Sequence, residues 1–171
     1  VLGVPIYSAD DKARELMMAD PELKEGVLTL LGTASYYPDG SLNRAHVAQK
    51  IFSDQALLES LNYLVHPAVH RDADRWHAQQ EAPYTLREAA LTFEGGGYLK
   101  LDAVINVEAS PEIRLRRVMQ RDKVSEDEVK KRMIRQWTEE QRRQLADFSV
   151  INDGKHQLIP RVWEIHNQLL S

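Results

Sequence analysis

The chain contains no cysteine among its 171 residues, so a disulfide framework and any thiolate metal site are excluded. It also has no basic excess. The formal net charge is −4, whereas a general nucleic-acid binder needs clustered positive charge. No apolar run approaches the roughly 20 residues of a membrane-spanning helix. These absences favour a cytoplasmic protein with no nucleic-acid or membrane partner, but composition alone does not separate an enzyme from a binding module.

A phosphate-binding loop of the Walker type is also absent from these residues. None of the eight glycines belongs to the pattern G-x-x-x-x-G-K-S/T. The glycine run after Glu94 is not followed by Lys-Ser or Lys-Thr, and Gly154 is followed by Lys155 and then by His156. The run after Glu94 therefore indicates a close backbone approach or a flexible turn, and neither alternative is specific.

Four segments have the pattern of β-strands and are separated by helical stretches. They are residues 4–9, 84–93, 103–107 and 148–151. The last two are short and rich in Val and Ile, which is typical of buried parallel strands. Strands that alternate with helices predict a layered α/β fold with a parallel sheet.

Polar residues follow three of these predicted strands, namely Asp10, Glu94 and Asn152. Ligands of open α/β sheets bind at the carboxyl ends of the strands, so these residues are expected near one rim. Asp10 could be a general base that takes a proton from an attacking hydroxyl, and Arg14 could bind an anionic group. The alternative is an N-cap Asp10 with an ordinary i,i+4 ion pair to Arg14, and the pattern alone favours this alternative.

The long segment between the first two strands has a helical pattern. Asp54 can cap a helix whose apolar residues recur with the helical period, and Pro67 is expected to break or restart that helix. Residues 36–40 have the composition of a turn. This segment is too long for a simple crossover helix, so it predicts a helical insertion, and insertions of this kind often carry substrate specificity.

The helices after the third strand have clear start signals. Ser110 followed by Pro111 predicts a helix to about Arg121, and Ser125 with Glu128 forms a capping box for the next helix. The expected apolar face of that second helix is Val129, Met133, Ile134 and Trp137. A last helix is expected at about residues 159–170.

Arginine is dense between residues 110 and 136. The arginines are Arg114, Arg116, Arg117, Arg121, Arg132 and Arg135. Two short helices with inward arginines can close over a triphosphate as a lid, because the planar guanidinium binds phosphate oxygens bidentately. The alternative is a solvated face balanced by acidic neighbours. Arg117 and Arg121 share one helix face and are therefore the first candidates for phosphate contacts.

The histidines do not predict a metal site. His66 and His70 are spaced i,i+4, but no third ligand follows at a sensible spacing. His66 precedes Pro67 and is expected to be a packed or capping residue.

Taken in chain order, these features resemble the dephospho-coenzyme A kinase family. The matching stretches are residues 2–6, 9–10 with 13–14, 39–44, 51–54, 65–67, 91–94, 117–122, and 146–148 with 152–154. Each stretch alone is weak evidence for the family. Their order is specific, above all the Ala-Asp pair at 9–10 before Ala-Arg, the His-Pro at 66–67 and the Gln-Arg-Asp at 120–122.

The resemblance implies a three-layer P-loop kinase fold with a parallel sheet, a helical substrate-binding insertion and a helical lid. The α/β nucleotide-binding core would comprise residues 1–15 and 76–171, the lid about 110–137, and the coenzyme A-binding insertion 16–75. It implies transfer of the γ-phosphoryl group of ATP, with Mg²⁺, to the ribose 3′-hydroxyl of dephospho-coenzyme A. It leaves the oligomeric state open.

The resemblance also implies roles for individual residues, carried over by position. These are Asp10 as catalytic base, Arg14, His66 and Glu94 on the substrate side, and Arg117, Arg121, Asn152 and Gly154 on the ATP side. No side chain is assigned to a metal.

The chain departs from the family at its start. The family opens with a strand and G-x-G-K-S/T before the helix that Gly3 would end, so an upstream unit of roughly 25 residues is expected in the biological protein. Its strand would lie mid-sheet, and residues 1–171 without it are expected to be neither stable nor active. Ser8 also replaces an acid often found there. Two other functions remain open: another P-loop kinase of small molecules or nucleotides, and a non-catalytic ligand-binding remnant.

Overall fold

The computed structural model describes residues 2–171 and divides into two compact units. The first unit extends to Ala90 and the second spans Leu91–Ser171. Each unit contains one pair of parallel strands and several helices. The predicted alternation of strands and helices in an α/β fold is confirmed. The predicted coenzyme A-binding insertion at residues 16–75 stays a prediction. Helices of the first unit cross both ends of that range.

The described part of the first unit, residues 2–90, contains two strands and four α-helices. They are β1 (Ile6–Ser8), α1 (Ala9–Ala19), α2 (Pro21–Leu31), α3 (Arg44–Ser53), α4 (Gln55–Ala78) and β2 (Leu86–Glu88). β1 and β2 are parallel, with Tyr7 opposite Arg87 and Ser8 opposite Glu88. The expected turn at residues 36–40 is present, and Gly40 there has a φ of 84°.

The core of the first unit is formed where α1, α2 and α3 pack against α4. Val27 of α2 is 0% exposed and Tyr7 of β1 is 2% exposed. The Tyr7 hydroxyl donates a hydrogen bond to Asp72 of α4 at 2.8 Å, and burial raises the pKa of this tyrosine. Each buried aliphatic side chain stabilises the unit by about 1.5–3 kcal/mol, so this packing fixes β1 against α4.

Helix α4 is continuous through Pro67, so the predicted break is wrong. Its start is as predicted, because the Asp54 side chain accepts hydrogen bonds from the backbone N–H groups of Ala56 and Leu57. Pro67 removes one backbone donor and costs about 3 kcal/mol in a helix interior. Pro67 lies on the exposed side, whereas Val65, Ala68 and Val69 beside it are buried. That buried face offsets the cost and holds both halves in one helix.

The second unit consists of two strands and four α-helices. They are β3 (Ile105–Glu108), α5 (Pro111–Asp122), α6 (Glu126–Met133), α7 (Glu139–Leu145), β4 (Phe148–Ile151) and α8 (Leu158–Leu170). β3 and β4 are parallel, with Ile105 opposite Phe148 and Glu108 opposite Ile151. The predictions for β4, α5, α6 and α8 are confirmed, and the third strand is displaced slightly towards the C-terminus.

The second predicted strand, residues 84–93, is much shorter than expected. Only Leu86–Glu88 pairs as a strand, and the chain then turns through residues 90–96. The Gly95 N–H donates to the Leu91 carbonyl, and Gly96 has a φ of 68°. Phe93 leaves the strand direction to pack on the rings of Tyr98 and Trp137, with centroid distances of 5.4 and 5.9 Å. Glu94 therefore lies within a turn and does not follow a strand.

The helix predictions need two further corrections. Ile134 and Trp137 were expected on the apolar face of α6, but α6 ends at Met133. Ile134 is 82% exposed, and Trp137 packs on Phe93 instead. Helix α7 was not predicted, although Thr138 and Gln141 form a complete capping box at its start. No helix within residues 2–171 has the length and apolar character that crossing a membrane requires.

Candidate active site

The carboxylate of Asp10 lies directly beyond the carboxyl end of β1. Ser8 occupies the N-cap position of α1, and Asp10 is the second residue of that helix. Its side chain is exposed, and it has no hydrogen-bond or ion-pair partner within residues 2–171. The N-cap role considered for Asp10 is therefore wrong, and its carboxylate is available to a ligand.

Arg14 is held by Asp11 and not by Asp10. The guanidinium donates to Asp11 Oδ1 across one helical turn, and the Ser8 hydroxyl donates to Asp11 Oδ2 at 3.0 Å. These hydrogen bonds, with the Arg14 bond the larger cause, hold the pKa of Asp11 below its usual value. The predicted i,i+4 alternative is not formed. Arg14 lies instead beside a charged carboxylate at the strand end.

His66 is on the exposed side of α4, near a cationic side chain that the sequence reasoning missed. Arg87 of β2 donates a hydrogen bond to Nδ1 of His70 at 3.1 Å. The ring of His66 is only partly desolvated; this desolvation, and then the charge of Arg87, lowers the pKa of His66. His66 is therefore neutral near pH 7. A charged residue within a short strand was the signal that could have drawn attention to Arg87.

Glu94 binds backbone within the second unit. Its Oε1 accepts a hydrogen bond of 2.6 Å from the N–H of Trp137, just before α7 begins. A carboxylate that accepts from a backbone donor is a strong acceptor, so this bond ties the turn after β2 to the start of α7. One oxygen of Glu94 is thereby engaged, and the other has no described partner within residues 2–171.

Three of the predicted ATP-side residues lie together in the second unit. The Arg117 guanidinium donates to the Asn152 carbonyl at 2.7 Å, and a Cβ placed at Gly154 would lie 3.9 Å from that guanidinium. Hydrogen bonds to Asp153 organise the loop that contains Asn152 and Gly154. Asp153 Oδ1 accepts from the N–H groups of Lys155 and His156 at 2.8 and 2.9 Å. These backbone donors hold the pKa of Asp153 far below its usual value.

Arg121 has different partners from Arg117. It forms an ion pair of 2.7 Å with Asp122, and Asp122 also accepts from Arg132 of α6 at 3.0 Å. The Arg121 side chain is 74% exposed. This arrangement links the end of α5 to α6, and it leaves Arg121 outside the group that Arg117, Asn152 and Gly154 form.

No group of three or more histidine and carboxylate side chains within residues 2–171 is arranged to hold a metal ion. The described residues therefore show no protein cage for a divalent cation.

Solved structures define the class of protein. The crystal structure of TT1252 from Thermus thermophilus matches with a TM-score of 0.85 at 31% identity, covering 99% of this chain and 86% of that one. A dephospho-CoA kinase from Campylobacter jejuni matches with a TM-score of 0.64 at 23% identity, covering 98% and 84%. The chain shares the α/β fold of these two proteins.

Sequence relatives narrow this class to one family. Dephospho-CoA kinase of Chlorobium chlorochromatii is 34% identical over 178 residues, covering 99% of this chain and 84% of that protein. Dephospho-CoA kinase of Porphyromonas gingivalis is 34% identical, covering 96% and 81%. The family model for dephospho-CoA kinase matches residues 1–157. The chain belongs to the dephospho-CoA kinase family, and the resemblance stated from the sequence is confirmed.

Proposed function

We propose that this chain carries out the reaction for which its family is named. It transfers the γ-phosphoryl group of ATP to the ribose 3′-hydroxyl of dephospho-coenzyme A, which is the last step of coenzyme A synthesis. Membership of the family, shown by the match over residues 1–157, carries this proposal. It favours dephospho-coenzyme A over the substrates of other small-molecule kinases.

Asp10 is the proposed general base. The attacking 3′-hydroxyl must lose its proton as the new bond to phosphorus forms, and the bridging oxygen of ADP takes the electron pair of the broken bond. A positioned carboxylate can accept that proton and typically contributes about 10²–10⁴-fold. The free, exposed carboxylate of Asp10 at the end of β1 supports this role.

The proposed substrate-side residues offer different contacts. Arg14 provides a positive charge at the same strand end, where Asp11 orients it for an anionic group of the substrate. Neutral His66 can donate or accept a hydrogen bond. Glu94 keeps one carboxylate oxygen beyond its bond to Trp137. In this proposal residues 16–75 receive the coenzyme A moiety.

The proposed ATP side consists of Arg117, Asn152 and Gly154, with Arg121 one turn further along α5. Arg117 uses one nitrogen for the Asn152 carbonyl, and a guanidinium has five N–H donors. The remaining donors suit phosphate oxygens, whose developing charge an arginine stabilises during transfer. Residues 110–137 act as the lid in this proposal.

Mg²⁺ is part of the proposal as an ion that ATP brings. Magnesium keeps several waters and commonly binds through substrate phosphates with one or two carboxylates, so a site without a protein cage fits it. When bound, it neutralises charge on the phosphates. A cytoplasmic location, with ATP and dephospho-coenzyme A as partners and no nucleic-acid or membrane partner, belongs to the same proposal.

The test of the base is Asp10→Asn in the full-length gene product, with Asp102→Asn as matched control. Asp102 is an exposed acid just before β3, at the opposite end of that strand from the end where ligands of α/β sheets bind. Asp10→Asn should lower kcat by about 10²–10⁴-fold with little change in KM, because only proton transfer is removed. Asp102→Asn should leave both constants unchanged. A near-normal kcat in Asp10→Asn would remove Asp10 from the mechanism.

A further inference from the structure

A group of buried charged and polar side chains joins α7 to β3. Asn106 and Glu108 of β3 are 5% and 7% exposed, and Arg142 of α7 is 9% exposed. Arg143 donates to both oxygens of Glu108 at 2.7 and 3.3 Å. This bond is the main reason that the pKa of Glu108 lies below its usual value. Helix α7 is therefore fixed to the strand by charge-assisted hydrogen bonds and not by apolar packing alone.

The side chain of Glu139 connects this group to a third secondary-structure element, helix α5. Its Oε1 accepts from Asn106 of β3 at 3.0 Å, and its Oε2 accepts from Arg142 of α7 at 2.9 Å. The same Oε2 lies 3.9 Å from a guanidinium nitrogen of Arg114 on α5. One carboxylate thus connects the strand, its own helix and the first lid helix.

The Glu139 carboxylate is the ion-pair partner of Arg114. The other contact of Arg114 is a long hydrogen bond of 3.5 Å to the side-chain oxygen of Gln136. The Nε atoms of Arg114 and Arg142 are both buried, and neither has a hydrogen-bond partner within residues 2–171. Because two guanidiniums share one carboxylate, removing the charge of Glu139 would leave both without compensation.

Arg114 and Arg117 are three residues apart on α5, and residues at this spacing are neighbours on one helix face. A contact that fixes Arg114 therefore also fixes the rotation of the helix that presents Arg117. We propose that Glu139 is a positioning residue for ATP binding: through Arg114 it holds α5 so that Arg117 meets the Asn152 carbonyl beside Gly154. This inference rests on the ATP-side role proposed for Arg117.

The experiment measures ATP affinity and kinetics in the full-length protein carrying Glu139→Gln, Arg114→Gln or both. Gln keeps the size of Glu139 and its hydrogen bond from Asn106, but it removes the charge. Each single variant should raise the Kd and KM for ATP about threefold to tenfold, which is in the lower part of the range that contacts between neighbouring residues give. The KM for dephospho-coenzyme A should not change. The double variant should be no weaker than the worse single variant, because both act through one contact.

Glu140→Gln is the matched control. Glu140 is the next residue on α7, is exposed, and binds Arg143 and Gln144 but none of the residues that reach α5. It should leave ATP affinity unchanged. If the Glu139→Gln variant does not fold, the Arg114→Gln variant alone tests the inference, because it leaves the hydrogen bonds among Glu139, Asn106 and Arg142 in place.

Three results would overturn the inference. They are unchanged ATP affinity in Arg114→Gln, equal rises in KM for both substrates, and additive losses in the double variant. A wrong function assignment would give a different result. In that case the unmodified protein would bind ATP but show no turnover when dephospho-coenzyme A is added. ATP affinity by calorimetry tests the role of Glu139 even in that case.

Discussion

Arg117→Met should weaken ATP binding more than any other single arginine change on α5. The substitution keeps the apolar stem of the side chain and removes the guanidinium that donates to the Asn152 carbonyl at 2.7 Å. It therefore removes both a link between α5 and the loop around Gly154 and the donors proposed for the phosphates of ATP.

The magnitude follows from the type of bond. A hydrogen bond that involves a charged group contributes about 1.5–3 kcal/mol, and an exposed position such as that of Arg117 favours the low end. About 1.4 kcal/mol corresponds to a tenfold change in an equilibrium constant. We therefore expect the Kd for ATP to rise about tenfold, while the KM for dephospho-coenzyme A stays the same.

The assay is titration calorimetry of ATP with the full-length protein, followed by steady-state kinetics for both substrates. Arg116→Met is the control, because Arg116 is the adjacent exposed arginine on α5 and makes no described hydrogen bond or ion pair within residues 2–171. Equal effects of the two substitutions would refute the reasoning, since general positive charge and not the bond to the Asn152 carbonyl would then explain ATP binding.

Three further predictions concern single contacts. Glu94→Gln should lower the free energy of unfolding by about 1–2 kcal/mol, because it weakens the hydrogen bond from the Trp137 N–H. Urea denaturation followed by tryptophan fluorescence measures this loss, and an unchanged denaturation midpoint would contradict it. Asp153 has a lowered pKa in the folded chain, so its charge stabilises the fold above about pH 4 and this stability is lost as the pH falls further. Asp153→Asn should therefore lower the melting temperature relative to the unmodified protein at pH 6, and by less at pH 3, as thermal denaturation can measure. The same difference in melting temperature at both pH values would count against this prediction. Arg87→Met should raise the pKa of His66 in an NMR titration, since one of the two causes that lower it is removed, and a fall in that pKa would contradict the structure.

Local signals in the sequence predicted most element boundaries in the second half of the chain. Ser110 before Pro111 begins α5, and the Ser125–Glu128 capping box begins α6, as the structure has them. Such signals work because they satisfy backbone groups that every helix start leaves unpaired. Helix α7 was not predicted although Thr138 and Gln141 carry the same kind of signal, in which Thr and Gln take the places of Ser and Glu.

Tertiary packing decided the features that were predicted wrongly. Pro67 does not break α4, because the buried side chains around it hold the helix together. The second strand ends early because Phe93 packs on aromatic rings that come from later in the chain. Neither contact can be read from a local window.

The position of Asp10 was predictable because residue type and a strand end coincide there, whereas its role stays a prediction. Asp10 was proposed from its place after a strand, and the structure leaves its carboxylate free at that place. The partner of Arg14 was not predictable, because Asp10 and Asp11 are both within reach of Arg14 on a helix and side-chain rotamers decide between them. Asn106 and Glu139 were missed for a different reason: they are 33 residues apart, and only the fold brings them together.

ATP consumption by the full-length gene product, with and without dephospho-coenzyme A, tests the central claim most directly. Turnover that appears only when dephospho-coenzyme A is added, with a 3′-phosphorylated product, is the predicted result. A folded protein that binds ATP but gives no such turnover, or that consumes ATP equally with another hydroxyl substrate, would contradict the proposed function.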